Sequence, residues 1–267
     1  MQESLFRDRE NLGHSESPYV VAVGGLDPTG GAGLVRDLLT AEALGARAML
    51  VGTAWTRQDE NGVKGVEPRF PDMVRAGLEQ ALAACPPRRT AIKIGMVAMG
   101  GIAAAIVAGL ETWRGPVVFD PVLGASAGGP LYEGSPADLL PLVRRATLVT
   151  PNLAEAAWLT GLAVETLDHA RHAAQVLAGW GPAAVLAKGG HLPGAATDVL
   201  RSAAGERLFE GTRLPGRNPR GTGCALATAI AVGLARGQPL EQAVDAAKVW
   251  LAGRIQAAVT IGGARYL

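Results

Sequence analysis

The sequence predicts an α/β fold in which a mainly parallel sheet lies between two layers of helices. Short apolar or β-branched runs alternate with Ala/Leu-rich stretches along most of the 267 residues. Nearly half of the residues are hydrophobic but only 4% are aromatic, so the core must be built from Ala, Leu and Val. Strands that alternate with helices need crossover connections, and such connections give parallel sheets that are covered on both faces.

The elements follow in order along the chain. A strand at 19–23 runs into Gly24 and Gly25, and a helix at 34–44 ends at Gly45. Further strands are predicted at 48–53, 91–94, 117–119, 148–149 and 184–187. Ligands of such sheets bind beyond the carboxyl ends of the strands, so the polar residues that follow these strands should meet at one rim.

The domain organisation is predicted to be simple. Residues 1–18 are polar and mixed in charge without an apolar centre, which indicates a flexible tail and not a signal peptide. The Pro/Gly-rich pieces further along are short, so residues 19–267 are expected to form a single domain. Glycine interrupts the apolar runs well before the roughly 20 residues that a membrane-spanning helix needs.

Charge and cysteine content narrow the classes of partner. The 25 basic and 24 acidic side chains nearly balance, which leaves no bulk argument for binding nucleic acid or an anionic membrane. Small molecules are the expected partners. Cys85 and Cys224 are too few and too far apart for a disulfide scaffold or a CxxC metal site, which suits a reducing compartment and a cytoplasmic location.

The strongest motif is the segment Gly221, Thr222, Gly223 and Cys224, which opens directly into an Ala/Leu-rich helix. A glycine-rich turn at a helix start points unpaired N–H groups and the positive end of the helix dipole at one spot, which creates an anion hole. The same helix end is expected to lower the pKa of Cys224 and favour its thiolate. An ordinary tight turn followed by a small buried cysteine explains this segment equally well.

A second glycine-rich turn occupies residues 24–33. It is not a Walker A loop, because Gly31 stands where the lysine would be, and it is not a GxGxxG loop. We expect its backbone to approach a substrate closely, with Asp27 or Asp37 free to accept hydrogen bonds from that substrate. Asp37 would also fit as an acid that compensates the dipole in the first turn of a helix.

Lysine is rare, with four residues against 21 arginines. Lys188 stands at a predicted strand end before two glycines, where a compact positive charge would suit phosphate. Lys248 lies in a helical stretch, where an exposed lysine is the simpler explanation. Asn152 and Glu155 are three apart at a predicted helix start, so they could hold Mg²⁺ or water beside phosphates, or simply cap the helix.

Seven segments in order resemble the hydroxymethylpyrimidine/phosphomethylpyrimidine kinases of thiamine biosynthesis, over residues 19 to 255. They are GLDPTGGAG at 25–33 with Asp37, TAWTRQ at 53–58, KIGM at 93–96, DPV at 120–122, TPNLAEA at 150–156, KGGH at 188–191 and GTGC at 221–224. The resemblance implies a ribokinase-like three-layer α/β/α fold. It also implies ATP as donor, Mg²⁺, and a 4-amino-5-hydroxymethyl-2-methylpyrimidine or its monophosphate as acceptor.

The resemblance also implies a substrate pocket. Gln58 would hydrogen-bond the aminopyrimidine, because a side-chain amide offers a donor and an acceptor in one plane. Asp37, Gly25, Ala32 and Val122 match the rest of the pocket.

On the phosphate side, the resemblance implies that Asn152 and Glu155 organise Mg²⁺ and water, with Glu155 holding the ion through water. Lys188 matches a phosphate-contacting lysine, and Lys248 falls on a lysine of the family's late helix that would serve ATP. Cys224 stands where most ribokinase-like relatives have an aspartate base. Our hypothesis is that the amides of residues 221–224 hold the γ-phosphate while the Cys224 thiolate takes the hydroxymethyl proton. The family also suggests a homodimer.

Three features depart from the family pattern. Arg220 replaces the usual histidine, which would add a charge near the phosphates, the loop at 123–129 lacks its usual Lys or Thr, and the sequence stops before the customary His-containing end. The sequence does not distinguish between an enzyme that catalyses one phosphorylation step and one that catalyses both. The alternatives are a pyridoxine or pyridoxal kinase, which Cys224 disfavours, and a non-catalytic pyrimidine sensor, which the retention of Lys188, Glu155 and Cys224 disfavours.

Overall fold

The computed structural model describes residues 17–59, 62–125, 128–190, 196–211, 219–261 and 263–267. The tail predicted for residues 1–18 therefore lies outside the described residues except for its last two positions. His191, the last residue of the KGGH segment, lies outside them as well. Among the helices that are described, none combines the length and the apolar character needed to cross a membrane.

A mainly parallel sheet forms the middle layer. Its strands are β1 (Tyr19–Leu26), β2 (Arg47–Asp59), β3 (Gly62–Pro68), β4 (Thr90–Ile94), β5 (Val117–Phe119), β6 (Leu148–Val149), β7 (Ala184–Ala187), β8 (Ala196–Ser202) and β9 (Gly205–Gly211). They are ordered β3-β2-β1-β4-β5-β6-β7-β8-β9. The six strands from β2 to β7 in that order are parallel, while β3, β8 and β9 run antiparallel to their neighbours.

Helices cover both faces of this sheet. They are α1 (Gly33–Ala43), α2 (Pro71–Ala83), α3 (Gly100–Gly109), α4 (Pro136–Arg145), α5 (Leu153–Thr160), α6 (Leu167–Ala178), α7 (Thr222–Ala235) and α8 (Leu240–Gln256). Side chains that alternate along the strands divide the core in two. Val21 and Val23 pack with α2 to α6 on one face, whereas Val20 packs with α1, α7 and α8 on the other. The predicted three-layer α/β/α fold is confirmed.

The predicted strands agree best with the structure in the parallel centre of the sheet. The bounds of β5, β6 and β7 match the prediction, because each is a short apolar run that is buried on both faces. β2 extends beyond its predicted end to Asp59 and forms a hairpin with β3, which was not predicted. β8, β9 and a separate hairpin of β10 (Val259–Ile261) and β11 (Ala264–Tyr266) were also missed, since they mix polar and apolar residues.

Two glycine-rich segments meet where the parallel strands end. Gly221, the residue before α7, has a φ of 78°, and a Cβ there would lie 2.2 Å from the carbonyl oxygen of Gly31. Gly33, at the start of α1, has a φ of 58°, and its Cβ would lie 2.2 Å from the carbonyl oxygen of Gly25. Only glycine combines this conformation with this approach. The start of α7 is thereby held against the loop that follows β1.

A buried ion pair joins the sheet to the helices beneath this point. Lys93 Nζ of β4 donates to Asp37 Oδ2 of α1 at 2.8 Å, and both side chains are almost fully buried. Thr228 Oγ1 of α7 donates to the other carboxylate oxygen at 2.8 Å. A buried pair of this kind tolerates the loss of one partner poorly, because the remaining charge has no water to solvate it.

Replacing Gly221 by alanine should destabilise the fold more than the same change at Gly237. Gly237 has the same φ of 78° but nothing within 4 Å of an added Cβ, so it isolates the cost of the left-handed conformation, about 1–2 kcal/mol. Gly221→Ala adds the collision with Gly31 and should cost about 1–3 kcal/mol more. Chemical denaturation of the two variants measures the difference, and equal losses would contradict the described contact.

The Lys93–Asp37 pair should show strong coupling in a double-mutant cycle. Lys93→Met and Asp37→Asn should each lower the free energy of unfolding by about 3–5 kcal/mol, and the double variant by much less than the sum. The matched control is the Arg75–Glu79 pair, which has the same 2.8 Å separation but is exposed, so that Arg75→Met should change stability little. Additive losses at Lys93 and Asp37 would refute the coupling.

Candidate active site

A cleft of about 970 Å³ opens at the carboxyl ends of the parallel strands. Among the residues that line it are Gly25, Ala32, Gln58, Val122, Asn152, Glu155, Lys188, Gly221, Thr222, Gly223, Cys224 and Lys248. The structure therefore brings together every predicted site residue except Asp37. Their convergence follows from the parallel register, which ends β1, β4, β5, β6 and β7 at the same edge.

The start of α7 has the features of an anion-binding site. Gly221 precedes the 14-residue helix, no side chain caps it, and its first turn carries no acidic residue. The amides of the first turn therefore keep their hydrogen-bonding capacity and face the cleft with the positive end of the helix dipole. Lys188 lies beside them, since a Cβ on Gly223 would be 3.4 Å from Lys188 Nζ.

Lys188 is held by two carboxylates. Its Nζ donates to Asp120 Oδ1 at 2.6 Å and lies 4.0 Å from Glu155 Oε2. Thr150 Oγ1 donates to the same oxygen of Asp120 at 3.0 Å. Burial would lower the pKa of Lys188, but Asp120 and Glu155 more than offset this and raise the pKa above its usual value. Lys188 therefore remains a cation at the anion hole.

Asn152 and Glu155 form a reciprocal capping box at the start of α5. Asn152 Oδ1 accepts a hydrogen bond from the backbone N–H of Glu155 at 2.9 Å, and Glu155 Oε2 accepts one from the backbone N–H of Asn152 at 2.7 Å. The capping alternative raised by the sequence is thus realised, and both residues also line the cleft. Burial, reinforced by Asp120 and opposed by Lys188, raises the pKa of the Glu155 carboxyl to about 7.

Asp37 does not reach the cleft. Both of its carboxylate oxygens are used inside the core, by Lys93 and by Thr228, so the geometry gives it no contact with a substrate. Lys93 lines the cleft instead, although no role was predicted for it from the sequence. A rare lysine within the otherwise apolar strand β4 was the available signal. Burial would lower the pKa of Lys93, but Asp37, Cys224 and Asp120 more than offset it, so its pKa is raised.

The expected low pKa of Cys224 is wrong for this structure. Burial raises the pKa of the thiol, and Asp37 and Asp120 reinforce the rise. Lys93 and the amide of Gly33 oppose it without reversing it. The helix end alone predicted a lowered pKa, whereas the desolvation of a partly buried sulfur near two carboxylates raises the pKa. The structure therefore favours the thiol form of Cys224 over the thiolate.

Asp27 is also not free to receive a substrate. Its Oδ1 accepts from the amide and the hydroxyl of Thr29, at 2.9 and 2.8 Å, and its Oδ2 accepts from the amide of Ala32 at 3.0 Å. Arg220 Nη2 approaches the same Oδ2 at 3.2 Å. Asp27 therefore shapes the glycine-rich loop.

Gly25 lies close to the Met96 side chain at the edge of the cleft. A Cβ on Gly25 would lie 2.7 Å from Met96 Sδ, so a side chain at position 25 would push Met96 out of place. Gln58 lies near the end of β2, in the part of the strand that extends beyond β1 and pairs with β3. Its amide contacts Thr56 and Arg220. The guanidinium of Arg220 thus points toward Gln58 and Asp27.

Lys248 lies at the opposite end of the cleft, and it is not the fully solvated helix lysine of the simpler explanation. Its Nζ donates to Asp198 Oδ2 at 2.5 Å, and 19% of its side chain is exposed. Asp198 Oδ1 accepts from the amide of Gly189 at 2.8 Å. Asp198 therefore connects the turn after β7 to α8, and sequence reasoning missed it because β8 itself was not predicted.

Comparison with known proteins identifies sequence relatives along nearly the whole chain. The family profile described as phosphomethylpyrimidine kinase matches residues 27–266. A hydroxymethylpyrimidine/phosphomethylpyrimidine kinase from Streptomyces coelicolor is 39% identical over 251 residues, which cover 92% of this chain and 91% of the relative. One from Rhizobium meliloti is 41% identical over 246 residues, covering 89% and 90%.

Solved structures agree on the fold. A phosphomethylpyrimidine kinase from Clostridium difficile is 32% identical with a TM-score of 0.76, covering 90% of this chain and 100% of that one. A pyridoxal kinase from Staphylococcus aureus, solved with AMP-PCP and pyridoxal, is 26% identical with a TM-score of 0.83, covering 94% and 93%. The extent of the profile match and the identity to the curated relatives show that the chain belongs to the phosphomethylpyrimidine kinase family, a family of phosphotransferases.

Proposed function

We propose that this protein transfers a phosphoryl group from ATP to the hydroxymethyl group of 4-amino-5-hydroxymethyl-2-methylpyrimidine, or to its monophosphate, in thiamine biosynthesis. The observation that carries the proposal is a single cleft with the anion hole and Lys188 at its centre and the Gln58 amide at one end. An acceptor ring held by Gln58 would point its hydroxymethyl group at that centre. Family membership supports the same chemistry.

The anion hole and Lys188 would supply most of the catalysis. Phosphoryl transfer has a loose transition state, so it depends on positioning and on stabilisation of charge on the phosphoryl oxygens. Amides fixed by the contact of Gly221 with Gly31, and a cation fixed by Asp120, need no rearrangement when that charge develops. The nucleotide would extend toward Lys248, where Phe209, Val249 and Ala252 also line the cleft.

The residues present also fit a magnesium ion. Glu155 and Asn152 offer oxygen atoms beside Asp120 at the phosphate end, and Mg²⁺ prefers such ligands while it keeps several waters. We propose that Glu155 holds the ion through water. Bound Mg²⁺ would neutralise phosphate charge during transfer. The capping box holds the Glu155 carboxyl in position for this role.

Cys224 would accept the hydroxymethyl proton. Only the thiolate can accept this proton, so the Cys224 thiol must first release its own proton to solvent. In a loose transition state the nucleophile loses its proton late, so the thiolate is needed only toward the end of the transfer. Lys93 favours the thiolate once it forms, because it is the cation that lowers the pKa of Cys224 most.

Cys224→Ala should lower kcat by roughly 10²–10⁴-fold, the usual contribution of a positioned proton acceptor, while the KM for ATP changes little because the amides remain. Steady-state kinetics at saturating acceptor measure both constants. The matched control is Cys85→Ala, which replaces the other cysteine at a buried position away from the cleft and should leave kcat unchanged. An unchanged kcat in Cys224→Ala would remove the proton-acceptor role but not the anion hole.

A pyridoxal kinase is the second candidate, and one observation favours it. The TM-scores of 0.83 to Bacillus subtilis and Staphylococcus aureus pyridoxal kinases exceed the 0.76 to the phosphomethylpyrimidine kinase. Backbone similarity reports the fold more than the acceptor. The identities of 39% and 41% to hydroxymethylpyrimidine/phosphomethylpyrimidine kinases favour the pyrimidine as the acceptor. The Gln58 amide in the cleft favours it as well.

A coupled ATPase assay with the pyrimidine, its monophosphate and pyridoxal as acceptors tests the proposed function. We expect turnover with the pyrimidine or its monophosphate, and a kcat/KM for pyridoxal at least roughly 100-fold lower, because pyridoxal lacks the exocyclic amine that Gln58 would bind. Comparing the first two acceptors shows whether one or both phosphorylation steps occur. Turnover with pyridoxal alone would contradict the proposal.

The remaining expectations stay predictions. A homodimer is supported by Trp55, Phe70 and Met73, which expose 56%, 76% and 54% of their surface around the β2–β3 hairpin. A single domain over residues 19–267 is supported by the nine-stranded sheet, whose strands lie between residues 19 and 211, and by the packing of α7 and α8 on that sheet. A cytoplasmic location fits the two free cysteines.

A further inference from the structure

Arg220 connects three parts of the substrate end of the cleft. Its Nη2 donates to Gln58 Oε1 at 3.0 Å and to Asp27 Oδ2 at 3.2 Å, while its Nη1 donates to the carbonyl oxygen of Asp59 at 3.1 Å. Only 11% of the side chain is exposed. Its backbone is fixed too, because its amide donates to the carbonyl oxygen of Arg265 in β11 at 2.9 Å. The residue directly before the anion hole is therefore aimed away from it.

These contacts fix which way the Gln58 amide faces. A guanidinium has donors only, so the atom of Gln58 that meets it must be the oxygen. On the other side, the Thr56 hydroxyl uses its single hydrogen to donate to the carbonyl oxygen of Leu26 at 3.0 Å. The hydroxyl must therefore accept, and it does so from Gln58 Nε2 at 2.9 Å. Both ends of the amide are determined by chemistry.

The fixed amide keeps one N–H and one oxygen lone pair for a ligand. That pair matches a ring nitrogen that accepts beside an exocyclic amine that donates, which is the pattern of a 4-aminopyrimidine. The rotated amide would offer the two groups in the opposite order and would mismatch the same ring. Without Arg220, Thr56 alone would constrain the rotation, and the oxygen would have no fixed donor.

We propose that Arg220 is a specificity-determining positioning residue, which holds the Gln58 amide in the single orientation that reads an aminopyrimidine. This role rests on the proposed function. It also accounts for a charge that the sequence suggested would lie near the phosphates. The charge of Arg220 is paired with Asp27, and its described donors serve the hairpin and the glycine-rich loop.

Gly31 provides the space for this arrangement. A Cβ on Gly31 would lie 3.0 Å from Arg220 Nε and 3.1 Å from a ring carbon of Tyr266, so the arginine stem passes directly over the loop. Gly221 also lies close to the carbonyl oxygen of Gly31. Contacts of Gly31 therefore connect the glycine-rich loop to the anion hole and, through Arg220, to the Gln58 amide.

The test is a double-mutant cycle on pyrimidine binding, measured by calorimetry without ATP and by steady-state kinetics. Arg220→Met should weaken binding of the pyrimidine roughly 10–100-fold and leave the KM for ATP within about twofold. In a Gln58→Ala background the same change should weaken binding less than about threefold, because Arg220 acts through Gln58. Arg220→Lys keeps the charge beside Asp27 but lacks the planar fork, so it should retain thermal stability and still bind the pyrimidine weakly.

The matched control is Arg57→Met, which removes an exposed arginine one residue before Gln58 and should leave pyrimidine binding unchanged. Equal losses from Arg220→Met with and without Gln58 would overturn the proposal in favour of a structural role. A raised KM for ATP with normal pyrimidine binding would overturn it in favour of a phosphate contact. If the unmodified protein fails to bind the pyrimidine, the proposed function itself falls, and this role with it.

Discussion

The approach of Gly221 to the carbonyl oxygen of Gly31 is the constraint on which the rest of the site depends. It joins the loop after β1 to the start of α7, although nearly 200 residues separate them along the chain. The anion hole, the stem of Arg220 and the thiol of Cys224 all take their positions from this contact. Because no residue other than glycine tolerates both the backbone angle and the distance at position 221, this contact depends on Gly221.

Two buried lysines then supply the charge, and each is held by a carboxylate. Lys93 pairs with Asp37 beneath the cleft, and Lys188 pairs with Asp120 inside it. Pairing compensates the cost of removing each ammonium group from water and keeps it protonated. Both lysines are therefore cations without a ligand. In the proposed mechanism Lys188 would contact the phosphoryl group, whereas Lys93 would favour the Cys224 thiolate.

The sequence predicted the fold and most of the lining of the cleft, because parallel strands and glycine-rich turns leave local signals. β5, β6 and β7 were located to the residue, and the GTGC segment was placed at the start of a helix. The predicted placement of Asp37 in the substrate pocket and the predicted low pKa of Cys224 were wrong. Both properties depend on burial among residues that are distant in sequence. The orientation of Arg220 required the β2–β3 hairpin, whose mixed polar strands carry no clear periodic signal.

A crystal structure with the hydroxymethylpyrimidine and a non-hydrolysable ATP analogue would show directly what the start of α7 and Gln58 bind. We expect the γ-phosphate to lie against the amides of Thr222 and Gly223 beside Lys188, and the aminopyrimidine edge to lie on Gln58, with Arg220 still bound to the Gln58 oxygen. The hydroxymethyl oxygen would lie between Cys224 and the γ-phosphate. A γ-phosphate bound away from the start of α7, or Arg220 turned from Gln58 onto the phosphates, would contradict it.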